Sequence, residues 1–217
     1  MKALVLGGTG LVGKDVIKLL LKDDRYEEVI SLVRGKLSLE HEKLLQLEID
    51  FNHMDQWAEY FCVDHLFCCL GTTIKKAKSK KNFEKVDYEY VLRAAKLLNK
   101  HDGKHFILVS AMGANSKSSI FYNKVKGRIE EDIIKFGPAH VTIVRPSLLL
   151  GSREEARLGE KLGEFFMKPL GFFLRGSLKQ YAAIESIEVA RKMIEKANGE
   201  KSAVDIPWAK TFSSINQ

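Results

Sequence analysis

Residues Lys2–Gly13 read KALVLGGTGLVG. A short apolar run ends at Gly7, and Gly10 and Gly13 follow at a Gly-x-x-Gly-x-x-Gly spacing, before a stretch that is apolar at helical intervals. A strand, a glycine turn and a helix in this order are typical of a dinucleotide-binding element. The glycines allow a tight turn, close approach of a diphosphate and close helix packing, while the helix N-terminus offers unpaired N–H groups to the phosphates.

The same residues permit two other interpretations. Gly8–Lys14 reads Gly-x-x-x-x-Gly-Lys, the beginning of a phosphate-binding loop for nucleoside triphosphates. That loop requires Ser or Thr at the next position to hold magnesium, whereas this chain has Asp15 there. The sequence therefore favours a dinucleotide over a triphosphate. An ordinary strand-to-helix turn is the remaining alternative. The choice between it and a dinucleotide-binding turn depends on motifs elsewhere in the chain.

Composition places the chain among globular proteins. Its 217 residues are 45% hydrophobic and 29% charged, which is enough for a substantial core. No apolar run approaches the length of a membrane span, and the first strand begins too early to leave room for a signal peptide. Cys62, Cys68 and Cys69 lack the paired spacing of a zinc site. We therefore expect buried, reduced thiols, no metal and a cytoplasmic location.

The formal net charge of +7 favours anionic ligands without selecting nucleic acid. Part of the excess lies in Lys75–Lys81, where five of seven residues are lysine. Aromatic residues do not interleave with these lysines, which argues against base stacking and nucleic-acid binding. A solvated loop is the preferred interpretation, and a rim that attracts anions beside a cofactor site is the alternative.

Strand-like and helix-like segments alternate along the whole chain. This pattern predicts an α/β Rossmann fold, with a doubly wound, mostly parallel sheet and helices on both faces. No linker or repeat divides the chain, so we expect one domain over residues 1–217, with residues 151–217 contributing the substrate side. After the opening strand, the predicted strands are Glu28–Val33, Leu44–Ile49, Asp64–Leu70, Lys104–Ser110, Val141–Val144 and Tyr181–Ile184, and the later helices are Asn82–Lys100, Ser119–Lys135 and Ile187–Ala197.

The end of the second predicted strand bears on cofactor choice. Sites that prefer NAD usually have Asp or Glu about 20 residues past the glycines, to bind the ribose 2′-hydroxyl. This chain has Arg34, followed by Gly35 and Lys36. A guanidinium suits a phosphate, so the sequence predicts NADP(H) over NAD(H). The alternative is that Arg34 is only a surface residue at a strand end.

A Tyr-x-x-x-Lys pair supplies a candidate acid/base. Tyr122 and Lys126 are four residues apart and share one face of a predicted helix. A nearby ammonium lowers the pKa of a phenol from its usual value of about 10, which brings it closer to the working pH. Ser110 ends the fifth predicted strand, where its hydroxyl would hold a substrate carbonyl oxygen. Such a pair often occurs by chance, but here it follows a glycine motif and Ser110.

These features resemble the short-chain dehydrogenase/reductase superfamily, and most closely its atypical branch that contains the oxidoreductase TIP30, the HIV Tat-interacting protein. Besides the glycines, Ser110, Tyr122 and Lys126, five segments carry the resemblance. They are Phe67–Thr73 (FCCLGTT), Val86–Leu92 (VDYEYVL), Lys104–Phe106 (KHF), Val125–Gly127 (VKG) and Arg145–Leu150 (RPSLLL).

The resemblance implies a Rossmann fold that binds NADPH through residues spread over the chain. It assigns Gly7, Thr9, Gly10, Leu11, Val12 and Gly13 to the diphosphate, Arg34 to the 2′-phosphate, and Asp50 and Phe51 to the surroundings of the adenine. The nicotinamide side would be lined by Leu70, Gly71, Thr72, Tyr122 and Lys126 and closed by Pro146 and Leu148.

We therefore interpret the chain as an NADP(H)-dependent oxidoreductase that reduces a carbonyl by hydride transfer, with Ser110, Tyr122 and Lys126 as its catalytic residues. The alternative is a non-catalytic NADPH-binding sensor.

Phe165–Leu174 is dense in aromatic residues and is interpreted as a pocket wall or lid, as plain core, or as a membrane or partner surface. A lid beside a cationic rim would suit a small, apolar carbonyl compound. The sequence leaves open whether the chain forms an oligomer.

Overall fold

The computed structural model describes residues 1–147, 149–150, 184–199 and 209–213. Its strands are β1 (Lys2–Leu6), β2 (Glu28–Val33), β3 (Leu44–Glu48), β4 (His65–Cys68), β5 (His105–Val109), β6 (His140–Val144), β7 (Leu149–Leu150), β8 (Ile184–Glu185) and β9 (Ala209–Ser213). The helices are α1 (Leu11–Leu20), α2 (Ile74–Ala77), α3 (Lys80–Glu84), α4 (Tyr90–Lys100), α5 (Phe121–Phe136) and α6 (Ser186–Ala197), with a 3-10 segment at Phe51–Phe61 and a π turn at Lys85–Glu89.

One sheet organises these elements, in the order β3-β2-β1-β4-β5-β6-β9. The first six strands in this order pair in parallel, and β9 runs antiparallel to β6. The strand order reverses between β1 and β4, which creates a switch point at their carboxyl ends. The predicted single-domain Rossmann fold is confirmed.

Both faces of the sheet are buried. Along β1, Leu4 and Leu6 face the core formed with α4, α5 and the 3-10 segment, whereas Ala3 and Val5 face the core formed with α1 and α6. All four side chains are fully buried. A strand covered on both faces reads as a continuous apolar run rather than an alternating one, which explains the sequence of β1.

The helix expected at Asn82–Lys100 begins slightly earlier, at Lys80, and is interrupted by the π turn. The antiparallel strand β9 was not predicted, because its place in the sheet depends on pairing with the distant β6 rather than on its own pattern. The predicted strand Tyr181–Ile184 lies mostly outside the described residues, and Phe165–Leu174 lies wholly outside them. In the part of the chain that is described, no helix combines the length and apolarity needed to cross a membrane.

Candidate cofactor and catalytic site

A cavity of about 540 Å³ opens at the carboxyl ends of four neighbouring strands, β2, β1, β4 and β5. Doubly wound folds bind their ligands at this edge, beside the point where the strand order reverses. Its lining includes most of the residues singled out in the sequence: Gly7, Thr9, Gly10, Leu11, Val12, Arg34, Phe51, Leu70, Gly71, Thr72, Ser110, Tyr122 and Lys126.

The glycine turn leaves a cradle of bare backbone at the floor of the cavity. Gly7 has a φ of +82°, and a Cβ there would lie 2.5 Å from the carbonyl oxygen of Cys69. The amide of Gly10 donates to the Gly7 carbonyl at 2.9 Å, and α1 starts at the next residue without a side-chain cap. An uncapped helix start with no intruding side chain is suited to a diphosphate.

Gly13 differs from the other glycines of the motif, because it does not line the cavity. It is buried in α1, where a Cβ would lie 2.2 Å from the Gly7 carbonyl oxygen. Its lack of a side chain therefore allows the helix to pack against the turn. Gly13 therefore supports the glycine turn from the side away from the cavity, and its assignment to the diphosphate stays a prediction.

Two further residues assigned through the resemblance, Asp50 and Pro146, do not line the cavity. Asp50 is exposed, and its carboxylate accepts a 2.9 Å hydrogen bond from the amide of Asn52, so it caps the 3-10 segment while the neighbouring Phe51 lines the cavity. Pro146 is buried, and its carbonyl accepts from the Met112 amide at 3.1 Å. Leu148 lies outside the described residues.

Ser110, Tyr122 and Lys126 all line the cavity. Ser110 is 6% exposed, and its hydroxyl has no hydrogen-bond partner among the residues described. A buried hydroxyl without a partner is costly, so this group fits a ligand oxygen that would complete its hydrogen bonding. The ring of Tyr122 packs against the buried Phe83, with centroids 5.5 Å apart.

Sequence reasoning missed Asp87. Its Oδ1 lies 2.8 Å from Nζ of Lys126, and its Oδ2 accepts a 2.8 Å hydrogen bond from the amide of Thr72. Both charged side chains are buried, at 0% exposure for Asp87 and 6% for Lys126. One signal was available, because Asp87 shares helical spacing with the buried Val91 and Leu98 and therefore puts a carboxylate on an apolar face.

This ion pair changes the electrostatics expected of Tyr122. Burial raises the pKa of Tyr122 above its usual value, Lys126 opposes that rise and Asp87 adds to it. Burial pulls the pKa of Lys126 down, but Asp87 and Tyr122 together outweigh burial, so the pKa of Lys126 is raised. The expectation that Lys126 brings the pKa of Tyr122 down towards neutrality is wrong, because burial outweighs the effect of the ammonium and Asp87 adds to the rise.

The lysine-rich segment borders the cavity without filling it. Lys76 lines the cavity, and its amide donates to the hydroxyl of Thr73 at 3.1 Å, which caps the short α2. The other four lysines of the segment are exposed. Burial raises the pKa of the Cys68 thiol to about 12, so this thiol is protonated at neutral pH. The expectation of buried thiols is wrong for Cys62, which is exposed. Within the described ranges, no group of His, Cys, Asp and Glu residues is suited to a metal ion.

Comparison with known proteins places this architecture in a family. The model of the HIM1 family matches residues 32–166. The chain is also 33% identical over 208 residues to the mitochondrial protein FMP52 of Candida albicans, covering 92% of this chain and 91% of that protein. The chain belongs to the HIM1 family. Rat HTATIP2, which is TIP30, is another relative, at 36% identity over 170 residues, 76% of this chain and 70% of that protein. The resemblance to TIP30-like atypical short-chain dehydrogenase/reductases is thereby confirmed.

Solved structures of low identity support the fold alone. The enzyme WbmH of Bordetella bronchiseptica, solved in complex with NAD+, superimposes with a TM-score of 0.69 at 13% identity, covering 91% of this chain and 72% of that one. The HIM1-family chain therefore shares the Rossmann fold of this NAD+-bound enzyme. The expected cytoplasmic location is wrong, because the fungal FMP52 relatives are named as mitochondrial proteins.

Proposed function

We propose that this chain is an NADP(H)-dependent oxidoreductase that reduces a carbonyl group by hydride transfer. The observation that carries the proposal is one cavity lined both by the bare glycine turn and by Ser110, Tyr122 and Lys126. These groups come from three distant parts of the sequence. A chance Tyr-x-x-x-Lys pair on an unrelated helix would have no reason to share a cavity with a phosphate-binding turn.

The residues fit a dinucleotide along the length of the cavity. The backbone between Gly7 and Val12 would hold the diphosphate, and Arg34 would hold the 2′-phosphate at the end lined by Phe51. Lys126 would hydrogen-bond the nicotinamide ribose, next to the unpartnered hydroxyl of Ser110. When bound, the nicotinamide supplies the hydride, and the protein supplies orientation and electrostatics.

The side chains of this protein would act on the carbonyl oxygen of the substrate, by positioning it and by protonating it. The hydroxyl of Ser110 would donate a hydrogen bond to the substrate carbonyl oxygen and fix its position. The phenol of Tyr122 would give its proton to the same oxygen as negative charge develops there. Because burial raises the pKa of Tyr122, the phenol is protonated at neutral pH, as a proton donor has to be.

The replacement Tyr122→Phe tests the proposal. We expect NADPH-dependent carbonyl reduction to fall about 100-fold or more, because positioned general acids typically contribute about 10²–10⁴-fold. NADPH affinity should stay within about twofold, since the ring is retained. The matched control is Tyr90→Phe, which removes a second cavity-lining phenol whose hydroxyl bonds Asn52 instead. Steady-state kinetics over a panel of aldehydes, with calorimetry for NADPH, measures both quantities.

The same panel separates this proposal from its rival and addresses the substrate. Tight NADPH binding without turnover of any carbonyl compound would favour a non-catalytic NADPH sensor.

If the substrate is apolar, as the aromatic segment Phe165–Leu174 suggests, kcat/KM should rise as the aldehyde chain lengthens from two to eight carbons. A kcat/KM that does not change with chain length would contradict the apolar substrate but not the carbonyl reduction.

A further inference from the structure

Asp87 occupies an unusual place for a carboxylate. It lies in the π turn Lys85–Glu89, between α3 and α4, and its side chain is completely buried. π turns insert an extra residue into a helix and are frequent at functional sites. Here the inserted geometry brings a carboxylate against the floor of the cavity, where it meets an ammonium group from α5 and the loop that follows β4.

One oxygen of this carboxylate is ion-paired without a recorded hydrogen bond, and the other accepts a hydrogen bond. Oδ1 lies 2.8 Å from the Lys126 ammonium, and Oδ2 accepts from the amide of Thr72 at 2.8 Å. Gly71 covers the pair, since a Cβ there would lie 3.5 Å from Asp87 Oδ1 and 3.9 Å from Lys126 Nζ. The carboxylate therefore fixes the ammonium relative to the loop on the nicotinamide side of the cavity.

Few other titratable groups act on this pair. From the described elements packed around it, the phenol of Tyr122 comes from α5 and the protonated thiol of Cys68 comes from β4. Lys76 and Arg34 line the cavity from α2 and from the end of β2. Asp87 is the sole carboxylate among the described residues that line the cavity, so it alone compensates the buried ammonium there.

Resting on the proposed function, we propose that Asp87 is a positioning residue that holds the Lys126 ammonium by an ion pair, so that Tyr122 keeps its proton and serves as the acid in carbonyl reduction. An uncompensated ammonium beside a phenol would stabilise the phenolate and release the proton. With Asp87 in place, the phenol faces a neutral pair. The proton then leaves Tyr122 only when the substrate oxygen gains the electron pair of its breaking C=O π bond.

The replacement Asp87→Asn separates charge from shape, because an amide oxygen still accepts from Thr72. Tyr122 ionisation is followed as tyrosinate absorbance at 295 nm. From each protein, the curve of the same protein with Tyr122→Phe added is subtracted, which removes the other five of the six tyrosines. We expect the pKa of Tyr122 to lie above the usual value of a phenol in the wild type and at least about one pH unit lower in Asp87→Asn. The alkaline limb of NADPH-dependent aldehyde reduction should move down by the same amount.

The matched control is Asp132→Asn, which removes a carboxylate that accepts from the Tyr88 hydroxyl on the outer side of α5. It should leave both the titration and the pH profile of Tyr122 unchanged. An Asp87→Asn titration that coincides with the wild type overturns the proposal. If Asp87→Asn does not fold, the wild-type titration decides alone, because a Tyr122 that ionises below about pH 9 also overturns it.

The tyrosinate titration tests the role of Asp87, and the aldehyde reduction assay tests the oxidoreductase proposal, so each can be contradicted without the other. The tyrosinate titration needs no turnover, so a shifted titration in a protein that reduces no aldehyde supports the role of Asp87 and contradicts the oxidoreductase proposal. Reduction that proceeds with an unshifted alkaline limb in Asp87→Asn supports the oxidoreductase and contradicts the role of Asp87.

Discussion

At the scale of single residues, the proposed preference for NADPH over NADH rests on Arg34. It lies exposed beyond the end of β2 and lines the cavity, at a position where NAD-preferring sites carry a carboxylate. Arg34→Ala should weaken NADPH binding by about 10- to 100-fold, because hydrogen bonds to charged groups contribute about 1.5–3 kcal/mol. NADH binding should change by less than about twofold. Calorimetry with both nucleotides checks this, with the exposed Lys18→Ala on α1 as control, and an equal loss for both nucleotides would contradict it.

Residues also differ in how far the sequence reveals them. The sequence alone identifies Tyr122 and Lys126 as a pair, because a spacing of four residues puts both side chains on one face of a helix. The sequence marks Asp87 only as a carboxylate on an apolar helix face, whereas the fold shows its partner, since Lys126 lies 2.8 Å away. The pKa of Tyr122 followed the same rule: neighbours in sequence predicted a decrease, whereas burial and Asp87 produce an increase.

At the scale of elements, β3 supports the segment that carries Arg34. The side-chain oxygen of Gln46 on β3 accepts from the amide of Leu37 at 2.8 Å, and its nitrogen donates to the carbonyl of Leu39 at 2.7 Å. Gln46→Leu keeps the side chain's size and removes these bonds. We expect NADPH affinity to fall about three- to tenfold with NADH affinity unchanged, because each lost bond contributes about 0.5–1.5 kcal/mol to the ordered segment. Competition binding measures the ratio, and Glu48→Gln on the same strand should leave it unaltered.

A glycine allows the helix that carries Tyr122 and Lys126 to pack closely against a neighbouring loop. A Cβ on Gly127 would lie 2.0 Å from the amide nitrogen of Ser116, so α5 contacts the backbone of the loop after β5 directly. Gly127→Ala should therefore lower the free energy of unfolding by about 1–3 kcal/mol or more, because backbone has to move. Gly35→Ala is the control, since a Cβ there meets nothing within 4 Å. Urea unfolding measures the free energy of unfolding of both variants. Equal values would contradict the prediction, because they would mean that the loop moves away from the added Cβ without cost.

At the scale of the whole molecule, three imidazoles lie in a row at the amino ends of β4, β5 and β6, at the opposite edge of the sheet from the cavity. His65 pairs with His105 and His105 with His140 in the strand register. Burial lowers the pKa of His65 and of His105 from 6.5 to about 4. Both rings have polar partners, since His65 lies 2.7 Å from the Tyr26 hydroxyl and His105 lies 2.9 Å from the Thr142 hydroxyl.

These histidines predict a loss of stability in acid. The unfolded chain binds protons from about pH 6.5 downwards and the folded one only near pH 4, so stability is complete above pH 6.5 and is lost between these values. The shift corresponds to about 3 kcal/mol for each ring. His105→Gln keeps a partner for Thr142 and should lose about 2–3 kcal/mol less than the wild type between pH 7 and pH 4. Urea unfolding at both values tests this, with the exposed His53→Gln as control, and parallel losses would contradict it.

The sequence by itself determined the order of the elements, the glycine turn and the Ser110, Tyr122 and Lys126 set. These features follow from local rules, because helical spacing, apolar runs and the need for a residue without a side chain act over a few positions. The tertiary structure alone decided the place of β9, the partner of Lys126 and the direction of the pKa shift of Tyr122. Each of these depends on burial and on groups from distant segments, and such contacts exist only once the sheet has assembled.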